Sequence, residues 1–294
     1  AHTHVGDALA KEAGAGLSLD ELVAPPDGLK HRILRAATRE ESVAAMRRAV
    51  RQLSATGTTA FADFREGGVA GVQALREAAL GSPVRALAYG RGDPEVLEVA
   101  DGYGASGARD DDFERERHLA REAGKPFAIH AGERDPADVN DALDLDPDFL
   151  VHMVHTTELH RERVADSEVP VVVCPRSNLV TDVGTPDVAT LRDLTTVTLG
   201  TDNVMLNSPS MFREMAVTAK CCDVSARAVL QMATRAGAET LGLDCGVIEA
   251  GRPARLLVVD GTTDNMAGYR DPIRAVVRRA GEADVRRVVH GGGS

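Results

Sequence analysis

Short apolar runs recur along this chain, and between them apolar residues return at every third or fourth position. Strands and helices in alternation are predicted, the pattern of a parallel α/β architecture. Thr38-Arg-Glu-Glu41 has the form of a capping box, followed by Val43, Met46, Val50 and Leu53 at helical spacing until Gly57. Strands are expected at Thr58–Asp63, Val84–Tyr89, Phe127–His130, Phe149–His152, Val169–Cys174 and Val197–Asp202, with a weaker one between Val96 and Gly107. A helix around Val72–Ala79 and an acidic helix from about Asp112 to Ala123 separate some of them. Each run is short and apolar, as strands buried on both faces are.

With a further strand expected before His2, the candidates number eight, which predicts a (β/α)8 TIM-like barrel whose site lies at the C-terminal ends of its strands. Beyond Asp202, Ser208-Pro209 suits the N-cap and first turn of a helix, and another helix is expected over Ser225–Leu241. From Cys245 the pattern changes: Arg255–Asp260, Ala275-Val-Val277 and Val285–Val289 all read as strands. We therefore expect a barrel over residues 1–243 and a small, partial β-sandwich appendage over 244–294, ending on the tail His290-Gly-Gly-Gly-Ser294.

Composition narrows the function classes. The 294 residues carry a net charge of −11, 3% aromatic residues and no Trp, which argues against a nucleic-acid surface. Four cysteines without Cys-x-x-Cys spacing argue against a disulfide framework or thiolate zinc site. No apolar stretch has membrane-helix length and no leader is recognisable, so a cytoplasmic protein acting on a small molecule is the expectation, with homo-oligomerisation left open. The first residue is Ala and a His-x-His follows at once, so an upstream segment is expected to be missing.

The chemically interesting residues fall at predicted strand ends. His2-x-His4 on an extended strand places two imidazoles on one side, because side chains alternate with a period of two. His130 and Asp202 supply a third nitrogen and a carboxylate, a donor set that suits zinc and also iron. Glu133, three residues after His130, is a candidate proton carrier, and His152 ends the next strand. Taken singly, each has a plain structural reading: a hydrogen-bonded strand-end histidine, a loop carboxylate paired to Arg134, a turn-capping aspartate.

The ordered series His2-x-His4, His130-x-x-Glu133, His152, Cys174-Pro-Arg-Ser-Asn178 and Gly200-Thr-Asp202 resembles the amidohydrolase superfamily. Within it the likeness is to the cytosine-, guanine- and adenosine-type aminohydrolases and the triazine hydrolases, and it covers nearly the whole chain. The resemblance implies His2, His4, His130 and Asp202 as ligands of one divalent metal, zinc first and iron second. It implies that Glu133 passes a proton to a ring nitrogen, that His152 orients the attacking hydroxide or the group under attack, and that Asp202 accepts a proton from water. Asn178 is a candidate substrate contact or loop anchor, and His155 is assigned a supporting place behind His152.

Many relatives bridge two metals with a carboxylated lysine on an early strand. No lysine lies between Lys30 and Lys125 here, so one metal is expected. The activity implied is deamination of a nitrogen heterocycle with release of ammonia. Hydrolysis of a cyclic amide or amidine without deamination, and a non-catalytic metal-binding role, are the alternatives.

Overall fold

A computed structural model describes residues 1–291. Its central sheet is built from β1 (Thr3–His4), β2 (Ala60–Arg65), β3 (Arg85–Gly90), β4 (Gly102–Ala105), β5 (Phe127–Ala131), β6 (Phe149–His152), β7 (Val171–Val173), β8 (Val197–Leu199) and β9 (Asp202–Asn203). All pairings within it are parallel, and the order runs β8-β7-β6-β5-β4-β3-β2-β1-β9. β8 and β9 are two pieces of one extended stretch broken at Gly200-Thr201, so the row curls back on itself as a TIM-like barrel. The break is pinned: the Thr201 and Asp202 amides both donate to the carbonyl of His2, at 3.0 and 3.1 Å.

Alternation along the strands divides the core. Ala62 and Phe64, Leu87 and Tyr89, Ala128, Phe149 and Val151, and Val172 pack together inside the barrel. Phe61, Phe127, Ile129, Leu150, Val171 and Val173 point outward, against the helices. The parity puts His130 inside with Ala128, whereas His152 shares parity with the outward Leu150. A left-handed backbone at His152 (φ 78°) and Met153 (φ 50°) ends β6 and re-aims that ring.

The helix Arg39–Ala55 starts at the expected capping box, with Thr38 accepting from the Glu41 amide and Glu41 reaching back to Thr38. Val43, Met46, Val50 and Leu53 form its buried stripe. Gly57 follows with φ 87°, and a Cβ there would lie 2.7 Å from Leu257 in the C-terminal strand Arg255–Val259. Only glycine meets both demands at low cost.

Several predicted elements differ. The first strand contains Thr3 and His4 themselves and lies between β2 and β9. Ser208-Pro209 does not open a helix; the helix is Met211–Cys221 with N-cap Ser210, because the Ser208 carbonyl is already held by the Arg176 guanidinium at 2.6 Å and the Ser210 amide at 2.7 Å. The expected Ser225–Leu241 helix is two, Ala226–Ala233 and Arg235–Thr240, broken at Thr234 where Thr198 donates to the freed Met232 carbonyl at 2.8 Å.

Ala275-Val-Val277 is not strand but part of the helix Pro272–Arg278, capped by Asp271 and packed on the helices Met211–Cys221 and Ala226–Ala233. Asp271-Pro272 was the local signal for it, an N-cap followed by proline at the first turn. The small sheet is a two-stranded antiparallel pair, β10 (Arg255–Val259) with β11 (Val285–His290). The tail residues 292–294 lie outside the described residues. Among the described residues no helix is long and apolar enough to cross a membrane.

Candidate active site

Strand ends bring the predicted ligands together. His2 Nε2 lies 3.2 Å from Asp202 Oδ1 and 3.3 Å from His130 Nε2, and His4 Nε2 lies 3.5 Å from the same carboxylate oxygen. One donor atom from each of the four residues falls within 4.8 Å of the others, and all four residues are buried. Phe64 forms the floor, its ring meeting His2 edge-on at 4.4 Å and His130 at 5.2 Å.

The outer faces of two imidazoles are tied to the backbone. His4 Nδ1 is 3.1 Å from the Phe64 carbonyl and His130 Nδ1 is 2.9 Å from the Ala105 carbonyl. A carbonyl accepts only, so each Nδ1 carries the proton and each Nε2 turns a lone pair inward. Burial pushes His2 down to about 4, against the opposing pull of Asp202. It also pushes His4 and His130 well below the usual range, with Lys30 adding to the first and Arg91 to the second. Neutral imidazoles result. Burial would raise Asp202, but hydrogen bonding and charge from His2, with His152 and Ser177, hold it well below the usual carboxylate range. Lone pairs this close, converging on an ionised buried carboxylate, fit a divalent cation of borderline softness.

Glu133 and His152 stand beside this cluster. Glu133 Oε2 is 3.6 Å from His152 Nε2, and both residues line the same cavity as His4, His130 and Asp202. Burial raises the Glu133 carboxyl, partly offset by His152 and reinforced by Asp202. Its side chain is 20% exposed, a carboxyl group at the cavity wall.

Asn178 and His155 sit differently from expectation. Asn178 is fully buried and does not line the cavity; its amide nitrogen instead lies 3.1 Å from His152 Nδ1. The short Pro175–Val180 helix after β7 puts it behind that ring and aims its neighbour Ser177 at Asp202 Oδ2. His155 joins through its main chain, its amide donating to the Gly132 carbonyl at 2.8 Å, so the support behind His152 is Asn178. Asp63 is structural, accepting from the Val5 amide and pairing with Arg65. Arg176 is likewise tied up by Glu214 at 2.8 Å.

A charged network beside the ligands escaped the sequence reading. Lys30 Nζ is 2.9 Å from Asp7 and 2.8 Å from Glu66. Glu66 also meets Arg65 at 2.6 Å and Arg91 at 3.3 Å, and its Oε1 is 3.6 Å from His4 Nδ1. Arg91 donates to the Gly104 carbonyl at 2.7 Å and sits 3.2 Å from His130 Nδ1. Burial would raise Glu66, yet Lys30, Arg65 and Arg91 hold it far below the usual range. Glu66 and Arg91 each lie one residue past an apolar strand, on the barrel face that carries the site, and that position was the available signal. Lys125 lies elsewhere, donating to the Leu97 and Ala100 carbonyls ahead of β5.

The chain has counterparts among known proteins. Residues 92–293 match the model of the amidohydrolase family. The chain is 34% identical over 318 residues to an uncharacterized protein of Methanocaldococcus jannaschii, covering 97% of this chain and 83% of that one. It is 35% identical over 197 residues to the 5-methylthioadenosine/S-adenosylhomocysteine deaminase of Halobacterium salinarum, covering 58% of this chain and 45% of that one. In three dimensions it superposes with a TM-score of 0.82 on an adenosine deaminase from Xanthomonas campestris solved with bound zinc, at 23% identity over 98% of this chain and 76% of that one.

Proposed function

Because the chain belongs to the amidohydrolase family, we propose that it is a metal-dependent aminohydrolase that deaminates a nitrogen heterocycle of purine, pyrimidine, pterin or nucleoside-like type. The observation that carries this reading is the convergence of three imidazole nitrogens and one carboxylate oxygen within 4.8 Å, beside the Glu133–His152 pair. The Halobacterium salinarum relative, named as a deaminase, favours deamination over simple ring opening.

His2, His4, His130 and Asp202 would hold one divalent ion, zinc in the first instance and iron in the second. When bound, that ion supplies Lewis acidity and lowers the pKa of water toward neutrality. The remaining work falls to side chains. Glu133, a carboxylate at the cavity wall made more basic by burial, takes up a proton released by water at Oε and delivers it to the ring nitrogen of the substrate. Asp202, ionised and turned toward the cavity, accepts the other proton from water and passes it to the departing amino nitrogen, which leaves as ammonia, while Ser177 keeps the other carboxylate oxygen fixed. His152, beside Glu133, orients the attacking oxygen or the group under attack.

The test is ammonia release from a panel of such heterocycles by protein loaded with zinc or iron. Turnover of at least one, with ammonia stoichiometric with product, is expected. A ring-opened product without ammonia would move the assignment to cyclic amide or amidine hydrolysis. Absence of stoichiometric metal after loading would overturn both enzymatic readings.

A further inference from the structure

His152 has an unusual setting for a strand-end histidine. Its φ is 78° and that of Met153 is 50°, left-handed conformations that cost non-glycine residues about 1–3 kcal/mol each and persist only where surrounding structure enforces them. The ring is buried and stacked on His130 at 5.3 Å. Its two nitrogens face different groups. Nδ1 meets the amide nitrogen of Asn178 at 3.1 Å, while Nε2 faces Glu133 Oε2 at 3.6 Å.

An amide NH2 only donates and a carboxylate only accepts. Both ends of the ring therefore ask for one tautomer, with a lone pair on Nδ1 and the proton on Nε2. Asn178 is itself immobile: it is fully buried in the Pro175–Val180 helix, and its own amide donates to the Cys174 carbonyl at 3.1 Å.

We propose that Asn178 is a positioning residue that holds His152 as the Nε2–H tautomer, making His152 a hydrogen-bond donor into the cavity and not a general base. In that state Nε2–H can stabilise negative charge on an attacking oxygen and leave proton delivery to Glu133. The opposite tautomer would present a lone pair to a carboxylate and lose both functions. The catalytic meaning rests on the aminohydrolase reading above; the tautomer does not.

Long-range proton–nitrogen correlation spectra of the full chain, labelled at histidine and loaded with zinc, test this directly. The His152 signals, identified by their loss in His152→Asn, are expected to show the proton on Nε2. In Asn178→Asp a carboxylate replaces the donor, so the proton should move to Nδ1 and kcat should fall roughly 10–100-fold with KM within about twofold of wild type. Nδ1–H in the wild-type protein would overturn the proposal, with or without folded variants. An Asn178→Asp protein that loses activity while keeping Nε2–H would overturn it too, reducing Asn178 to packing. Should no substrate be found, the spectra still decide the tautomer, so failure here and failure of the functional reading remain distinct.

Discussion

His2 Nε2 and Asp202 Oδ1 lie 3.2 Å apart across the seam where β1 meets β9, although 200 residues separate them in sequence. The contact lies at the seam that closes the barrel and joins two of the four proposed ligands. The chain therefore has one structural reason and one chemical reason to keep its first and last barrel strands in register.

Asp202 is the residue on which both depend most. It has φ 52°, a left-handed conformation that asparagine tolerates and alanine does not. Asp202→Asn should keep the thermal midpoint near wild type while abolishing stoichiometric zinc and ammonia release. Asp202→Ala should lose the same activity and retain the fold with about 1–2 kcal/mol less stability. Wild-type turnover in either variant would refute the ligand role.

Lys30 neutralises the buried Asp7 and the partly buried Glu66. Glu66 keeps Arg65 and Arg91 when Lys30 is gone, but Asp7 keeps no such contact. Lys30→Met should therefore cost about 3–5 kcal/mol in urea denaturation, the range for breaking a buried pair. Combining it with Asp7→Leu should restore a substantial part. A loss below about 1 kcal/mol would match an exposed pair and contradict the buried network.

Metal removal should destabilise without unfolding. If the ligands bind only in the folded state, metal at a hundred times its dissociation constant adds about 2.7 kcal/mol. Chelation should lower the thermal midpoint, and zinc should restore it. A midpoint indifferent to both treatments would show that the four residues hold nothing.

Gly57 joins the barrel to the β10–β11 strand pair. Gly57→Ala places a methyl against Leu257 in a backbone with φ 87°, so we expect about 1–2 kcal/mol of strain and faster proteolysis within the β10–β11 pair. Unchanged proteolysis would mean that the pair does not depend on this contact.

Asp284 should make that strand pair acid-sensitive. Hydrogen bonds from Thr263 act first in lowering its carboxyl, and Asn265 and the Gly281 amide also donate to it. A depressed native pKa contributes stability that is present above the unfolded value near 4 and is lost as pH falls through the folded one. The protection of the Val288 and Val289 amides against exchange, relative to their intrinsic rates, should fall below about pH 4, and Asp284→Ala should remove that dependence. An unaltered acid profile in the variant would assign the effect elsewhere.

The sequence by itself determined what is local or periodic. Alternation placed His130 at the inner face of β5, Gly132 with φ 62° allowed Glu133 to follow on a tight turn, and the Thr38–Glu41 box started its helix where expected. The same residues, in order along the chain, carried the family resemblance. Where local signals competed, they misled: the apolar Ala275-Val-Val277 run matched a strand, but packing against two barrel helices and the Asp271-Pro272 cap made it helix.

Tertiary structure alone decided the rest. Nothing near Lys30 announces Glu66 as its partner, because ion pairs form between residues brought close by the fold and leave no spacing to read. The parity of β6 would send His152 outward, and only the left-handed turn at its end brings the ring to the site. Asn178 could be placed on a loop anchor or on the substrate from its motif. The helix after β7 put it behind His152, with its amide nitrogen 3.1 Å from Nδ1 of that ring.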